Sequence, residues 1–142
     1  MIPRIVLDAT AFDVLDTIKG VKARALMERT ALAGGDVYCA AVTLAEVCRG
    51  SARTRRVEAA LVRTRGGKRI RVVPTDEALA KLVGDILHKT GSNSERLGDA
   101  HVIAVCADAD AAVVLTGDAD DIAALAVAVP GTRIEIRDPA RR

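Results

Sequence analysis

Short apolar runs alternate with helix-patterned stretches along this chain, and that alternation admits few folds. Residues 5–7, 37–41, 70–73 and 112–115 each read as a short buried strand. Between them, apolar residues recur at helical spacing over 9–18, 21–32, 43–49 and, after a break near Gly50-Ser51, through Val57, Leu61 and Val62. Such alternation builds a mainly parallel sheet covered by helices on both faces. Half of the 142 residues are hydrophobic but only 1% are aromatic, so Ala, Val, Leu and Ile must fill the core. A chain of this length is expected to form one domain over residues 1–142.

Punctuation along the chain supports the same division. Gly34-Gly35 and Gly66-Gly67 end helical stretches, and Pro74 closes the third strand. Thr75 is expected to cap a helix whose apolar face is Leu79, Leu82, Val83, Ile86 and Leu87. A nearly all-apolar helix begins at Leu97 after a polar loop over 91–95, and another helix is expected over 118–127. Residues 132–136 alternate as a final edge strand before a basic tail.

Acids stand where these strands end or helices begin. Asp8 closes the first apolar run, and Asp118 follows the fourth after Thr116-Gly117. Parallel sheets carry their sites beyond the carboxyl ends of strands, at the topological switch point, so both acids are candidates. Glu46 and Asp99 lie at the starts of two helical segments and complete the set. Carboxylates gathered at one sheet edge repel by about 1 kcal/mol at roughly 4 Å in water, and by more where solvent is thinned. A hard divalent cation with oxygen ligands, Mg²⁺ or Mn²⁺, is the usual remedy, and beside basic surface it suggests phosphodiester chemistry.

Each acid also has a structural explanation. Asp8 could be a helix N-cap, with the Thr10 hydroxyl orienting it if it binds metal. Thr43-Leu44-Ala45-Glu46 fits a capping box, and on local pattern alone the box is the better reading of Glu46. Asp99 could complement the positive end of its helix. Asp118 could cap the next helix while Asp120 and Asp121 fill its first turn. Asp118 is the favoured candidate of these three because it lies nearest the strand end.

The net charge of +2 carries little information, but Arg49, Arg53, Arg55, Arg56, Arg63, Arg65, Lys68, Arg69 and Arg71 form a basic stretch relieved only by Glu58. It reads either as a solvated helix and turn or as a surface for a polyanion. One Phe and one Tyr cannot make the stacking platform of single-strand-binding folds. Cys39, Cys48 and Cys106 form no CxxC pair and are expected to be reduced core residues. His88 and His101 lack zinc spacing, Ser92 and Ser94 lack an evident base, and no dinucleotide or P-loop motif is present. With no long apolar span and no signal peptide, a soluble cytoplasmic protein is expected.

In order along the chain, Val6-Leu7-Asp8-Ala9-Thr10, Ala45-Glu46-Val47 followed by Arg49-Gly50, Gly98-Asp99-Ala100 and Thr116-Gly117-Asp118 resemble PIN-domain ribonucleases. The pattern looks closest to the VapC toxins of type II VapBC toxin-antitoxin systems. That resemblance implies a three-layer α/β fold with sheet order 3-2-1-4-5. It implies that Asp8 and Asp99 bind Mg²⁺ most directly, with Glu46 and Asp118 acting directly or through water and Thr10 in support. It also implies a homodimer and a cognate VapB-type antitoxin. The activity expected is Mg²⁺-dependent endoribonuclease cleavage by a metal-activated water, with Mn²⁺ as a substitute.

Two rivals start from the same residues. A phosphatase of the haloacid dehalogenase type also begins with an Asp after its first strand, but wants a second Asp two positions later, where Thr10 stands. A non-catalytic nucleic-acid or partner-binding module would need no metal.

Overall fold

The computed structural model describes residues 2–63 and 67–140. Its elements follow the expected alternation: β1 (Arg4–Leu7), α1 (Ala9–Val14), α2 (Val21–Leu32), β2 (Val37–Ala40), α3 (Ala41–Val47), α4 (Ser51–Val62), β3 (Arg71–Val73), α5 (Glu77–Lys89), α6 (Leu97–Cys106), β4 (Ala111–Leu115), α7 (Ala119–Ala126) and β5 (Arg133–Arg137). The strands form one sheet in the order β3-β2-β1-β4-β5, every neighbouring pair parallel. The expected three-layer α/β fold with sheet order 3-2-1-4-5 is the one observed.

Side-chain alternation along each strand builds a core on both faces. Ile5, Leu7, Val37, Cys39, Val113 and Leu115 pack beneath helices α1 to α4, against Phe12, Met27, Val47, Val57 and Leu61. Val6, Ala40, Ala112 and Val114 face the other way, against Val83, Ile86, Ile103, Ile122 and Leu125 of helices α5 to α7. Helix α6 is buried along nearly its whole length, as its apolar sequence requires. Outermost on the sheet, β5 alternates exposed and half-buried residues, as expected of an edge strand.

Three boundaries differ from the sequence reading in ways the structure explains. Helix α1 stops at Val14 rather than reaching 18, because the carbonyls at its end are captured: Thr17 donates to Val14 O at 2.8 Å and Arg24 Nη1 donates to Leu15 O at 2.5 Å. Helix α3 starts directly from β2 at Ala41, two residues before Thr43. Asp76, not Thr75, caps α5, its Oδ1 accepting from Leu79 N at 2.8 Å. The break between α3 and α4 is real, and Gly50 makes it with φ of +89°, a conformation that disfavours side chains. Arg65 and Gly66 lie outside the described residues, as do the last two residues of the basic tail. Cys39, Cys48 and Cys106 are free thiols, and burial pushes Cys39 and Cys106 up to about 12.

Chain direction reverses its spread at β1, the central strand: β2 and β3 extend to one side, β4 and β5 to the other. The carboxyl ends of β1 and β4 therefore flank the switch point, and Asp8 N donates to Leu115 O at 3.3 Å across them. Because Ile103 is fully buried between sheet and helices, Ile103→Ala should cost about 2–5 kcal/mol in urea unfolding, with the unfolding slope unchanged.

Candidate functional site

Asp8 leaves β1 at its carboxyl end and is only 3% exposed. Its Oδ1 accepts from Ala11 N at 3.0 Å and from Thr10 Oγ1 at 2.6 Å, while Oδ2 accepts from Thr116 Oγ1. The two threonines are themselves held: Gly117 N donates to Thr10 Oγ1 at 2.7 Å, and Asp118 N donates to Thr116 Oγ1 at 2.8 Å. This chain of bonds ties the β1 and β4 ends together around one carboxylate. Asp8 is thus the N-cap of α1 as well as the deepest acid of the site.

Burial raises the Asp8 carboxyl above its ordinary value, opposed by the bonds from Thr10, Thr116 and Ala11, with the Asp118 charge adding to the rise. A carboxylate has about four acceptor directions. Three are taken, and the free one is on Oδ2.

The capping box expected around Glu46 does not form. Thr43 lies within α3, fully buried, and its hydroxyl has no hydrogen-bond partner among the described residues. Because β2 runs straight into α3, the helix begins too early for Thr43 to cap it. Glu46 instead approaches the start of α6 at Gly98. Burial and the Asp8 charge raise its carboxyl, while His101 and Arg49 act the other way.

Asp99, in the first turn of α6, is pushed up to about 6, first by burial and then by the charges of Asp8, Asp121, Asp118 and Glu46. Asp118 begins α7 and makes no side-chain cap. Of the two following acids, Asp121 pairs with Arg96 at 2.7 Å, and Asp120 is exposed in the first turn of α7.

The fold therefore brings Asp8, Glu46, Asp99 and Asp118, from four separate elements, into one electrostatic field. None of them takes part in an ion pair among the described residues. Their side chains do not form a ligating cluster as they stand: among the described residues no three His, Cys, Asp or Glu are grouped as a metal cage. What fits a hard divalent cation is the donor set, all carboxylate oxygen, together with an uncompensated negative field.

Sequence reasoning does not single out Thr116, the hydroxyl that links Asp8 to the β4 end. Its place in Thr116-Gly117-Asp118, directly after a buried strand, is the signal that could have found it.

Much of the basic stretch has structural partners. Arg53 pairs with Asp13, and Arg56 with Asp16 at 3.0 Å, joining α4 to α1 and its following turn. Lys68 and Arg71 reach Asp36 at 3.3 and 3.9 Å. Arg49 differs, because its charge acts on Glu46 at the edge of the acidic site.

A family model described as "PIN domain" matches residues 5–128 of this chain. The chain belongs to the PIN domain family. PIN domains are in general nucleases, hydrolysing nucleic acids. No curated protein matches the chain in sequence. Solved structures share its fold, among them two bound to DNA fragments. One is described as the structure of FitAB bound to an IR36 DNA fragment: 21% identity, TM-score 0.61, covering 97% of this chain and 96% of that one. The other is VapBC2 from Rickettsia felis bound to a DNA fragment from their promoter: 16% identity, TM-score 0.64, covering 95% of this chain and 99% of that one.

Two measurements check this PIN site. Thr116→Val keeps the shape but removes a donor to buried Asp8 and an acceptor for Asp118 N, so it should cost about 1–3 kcal/mol in urea unfolding. The second is the pH dependence of the metal-free protein. Between the ordinary 3.8 and about 6, folded Asp99 keeps a proton that the unfolded chain has released. Stability from that group is therefore full below about 4 and lost as pH rises through about 6. Asp99→Asn should flatten this fall and leave the protein about 1 kcal/mol more stable at pH 7, after allowance for solvent screening; an unchanged pH profile would contradict the assigned burial.

Proposed function

We propose that this PIN domain is a Mg²⁺-dependent endoribonuclease that acts as the toxin of a toxin-antitoxin pair. The observation that carries the reading is the convergence of Asp8, Glu46, Asp99 and Asp118 in one field with no ion-pair partner among the described residues. Asp8 and Asp99 are the residues to hold the cation most directly, with Glu46 and Asp118 acting directly or through water. Bound there, a divalent cation supplies Lewis acidity toward a phosphate and acidifies a water molecule.

The chain's own groups account for the remainder. Thr10 and Thr116 keep the Asp8 carboxylate turned toward the site, with one acceptor direction of Oδ2 unspent. Glu46, its carboxyl raised by burial, is the group suited to take the proton of the attacking water. Arg49, beside Glu46, is positioned to attract the phosphate being cut, while Arg55 and Arg69 offer further exposed charge.

The likeness to FitAB and to the Rickettsia felis VapBC2 pair supports a partner of antitoxin type, VapB-like; a homodimeric toxin is part of the same proposal. Residues 1–142 are proposed to act as a single domain in the cytoplasm. Consistent with this, no helix among the described residues is long and apolar enough to cross a membrane.

Cleavage of a structured RNA should require Mg²⁺ or Mn²⁺, stop in EDTA, and fall at least on the order of a hundredfold in Asp8→Asn and in Asp99→Asn. Mn²⁺ should raise the melting temperature of the wild type and not of Asp8→Asn. Undiminished cleavage in both substituted proteins would defeat the nuclease assignment, and Mn²⁺ binding without any cleavage would favour a binding module.

A further inference from the structure

Among the described residues, Gly98 is the one α-helical glycine whose missing Cβ faces a candidate site residue. A Cβ built there overlaps Glu46 Oε1, lies 3.0 Å from Glu46 Cδ and 3.3 Å from Oε2. Nothing in the backbone calls for glycine: the positive-φ glycines are Gly34, Gly50, Gly67 and Gly91, and Gly98 is in the first turn of α6 with ordinary helical geometry. Glycine is also the poorest helix former after proline, and α6 is otherwise built mostly of Ala, Val, Ile and Leu. The space itself is what the position supplies.

We propose that Gly98 is a positioning residue, whose absent side chain lets the Glu46 carboxylate lie against the start of α6 beside Asp99. This rests on the nuclease reading for its consequence, though not for its geometry. Glu46 comes from α3 and Asp99 from α6, and the two helices pack against each other. With any side chain at 98, the flexible end of Glu46 must swing away, because it can move while the α6 backbone cannot. Such a change spares the fold and displaces one carboxylate.

The test is a set of variants in the full chain: Gly98→Ala, Glu46→Ala, the double variant, and Gly84→Ala as a control. Gly84 lies in α5 with nothing within 4 Å of a built Cβ, so alanine there should change helix propensity alone. Gly98→Ala is expected to melt no lower than wild type, as Gly84→Ala does, while Mn²⁺ affinity by calorimetry weakens about tenfold or more. In the Glu46→Ala background, Gly98→Ala should have no further effect on Mn²⁺ affinity, since the group it displaces is gone.

Wild-type Mn²⁺ affinity in Gly98→Ala, or an equal loss with and without Glu46, would overturn the proposal. If the wild type binds no Mn²⁺, the metal-nuclease reading fails instead. The positioning role is then decided by the Glu46 carboxyl ¹³C resonance in metal-free protein: a shift in Gly98→Ala and none in Gly84→Ala supports it, and an unmoved resonance overturns it.

Discussion

A negative charge held almost out of water at the end of a buried strand is the constraint on which this molecule turns. Asp8 is 3% exposed, yet it receives three hydrogen bonds, from Ala11 N, Thr10 and Thr116. Those bonds offset part of the desolvation, which still raises the carboxyl above its ordinary value. They also do architectural work, because the donors come from both sides of the switch point. Thr116 and Gly117 follow β4, Thr10 and Ala11 begin α1, and the Asp8 carboxylate joins them. The strand pair β1 and β4 is thus fastened where three further acids converge.

Around that point, charge is distributed unevenly for physical reasons. Arg53, Arg56, Lys68 and Arg71 are matched with acids remote from the site and bridge elements of the fold. Exposed pairs of this kind add little stability, and their effect is on how α4 and β3 sit beside their neighbours. Among the described residues, the acids at the switch point lack such partners. Arg96 interacts with Asp99, yet it is engaged by Asp121 and so tempers the field without cancelling it. The contrast between a paired periphery and an unpaired centre is what marks the centre as chemical.

Local sequence pattern was a good guide wherever the decisive contact was itself local. The parallel sheet, the burial of α6 and the edge position of β5 follow from periodicity, whereas the sheet order was legible only through the resemblance to PIN domains. Asp8 could be recognised both as a strand-end acid and as a cap, and the two descriptions prove compatible because one carboxylate has several acceptor directions. The pattern misled at Thr43 to Glu46, where a capping box requires a loop before Thr43. The close succession of β2 and α3 removes that loop. It misled again at residues 15–18, where Arg24, from the next helix, ends α1.

The residues by themselves determined the alternation of strands and helices, an aliphatic core with almost no rings, and the presence of acids at element ends. These depend on periodicity and side-chain type, which neighbours along the chain express. Tertiary structure alone decided that Thr116 would serve Asp8 across 108 positions, that Arg53 and Arg56 would bind acids near α1, and that Glu46 would enter the space left by Gly98. Each of these joins groups far apart in sequence through contacts of a few ångströms. Distance along a chain carries no record of such contacts until the sheet has closed and the helices have packed on it.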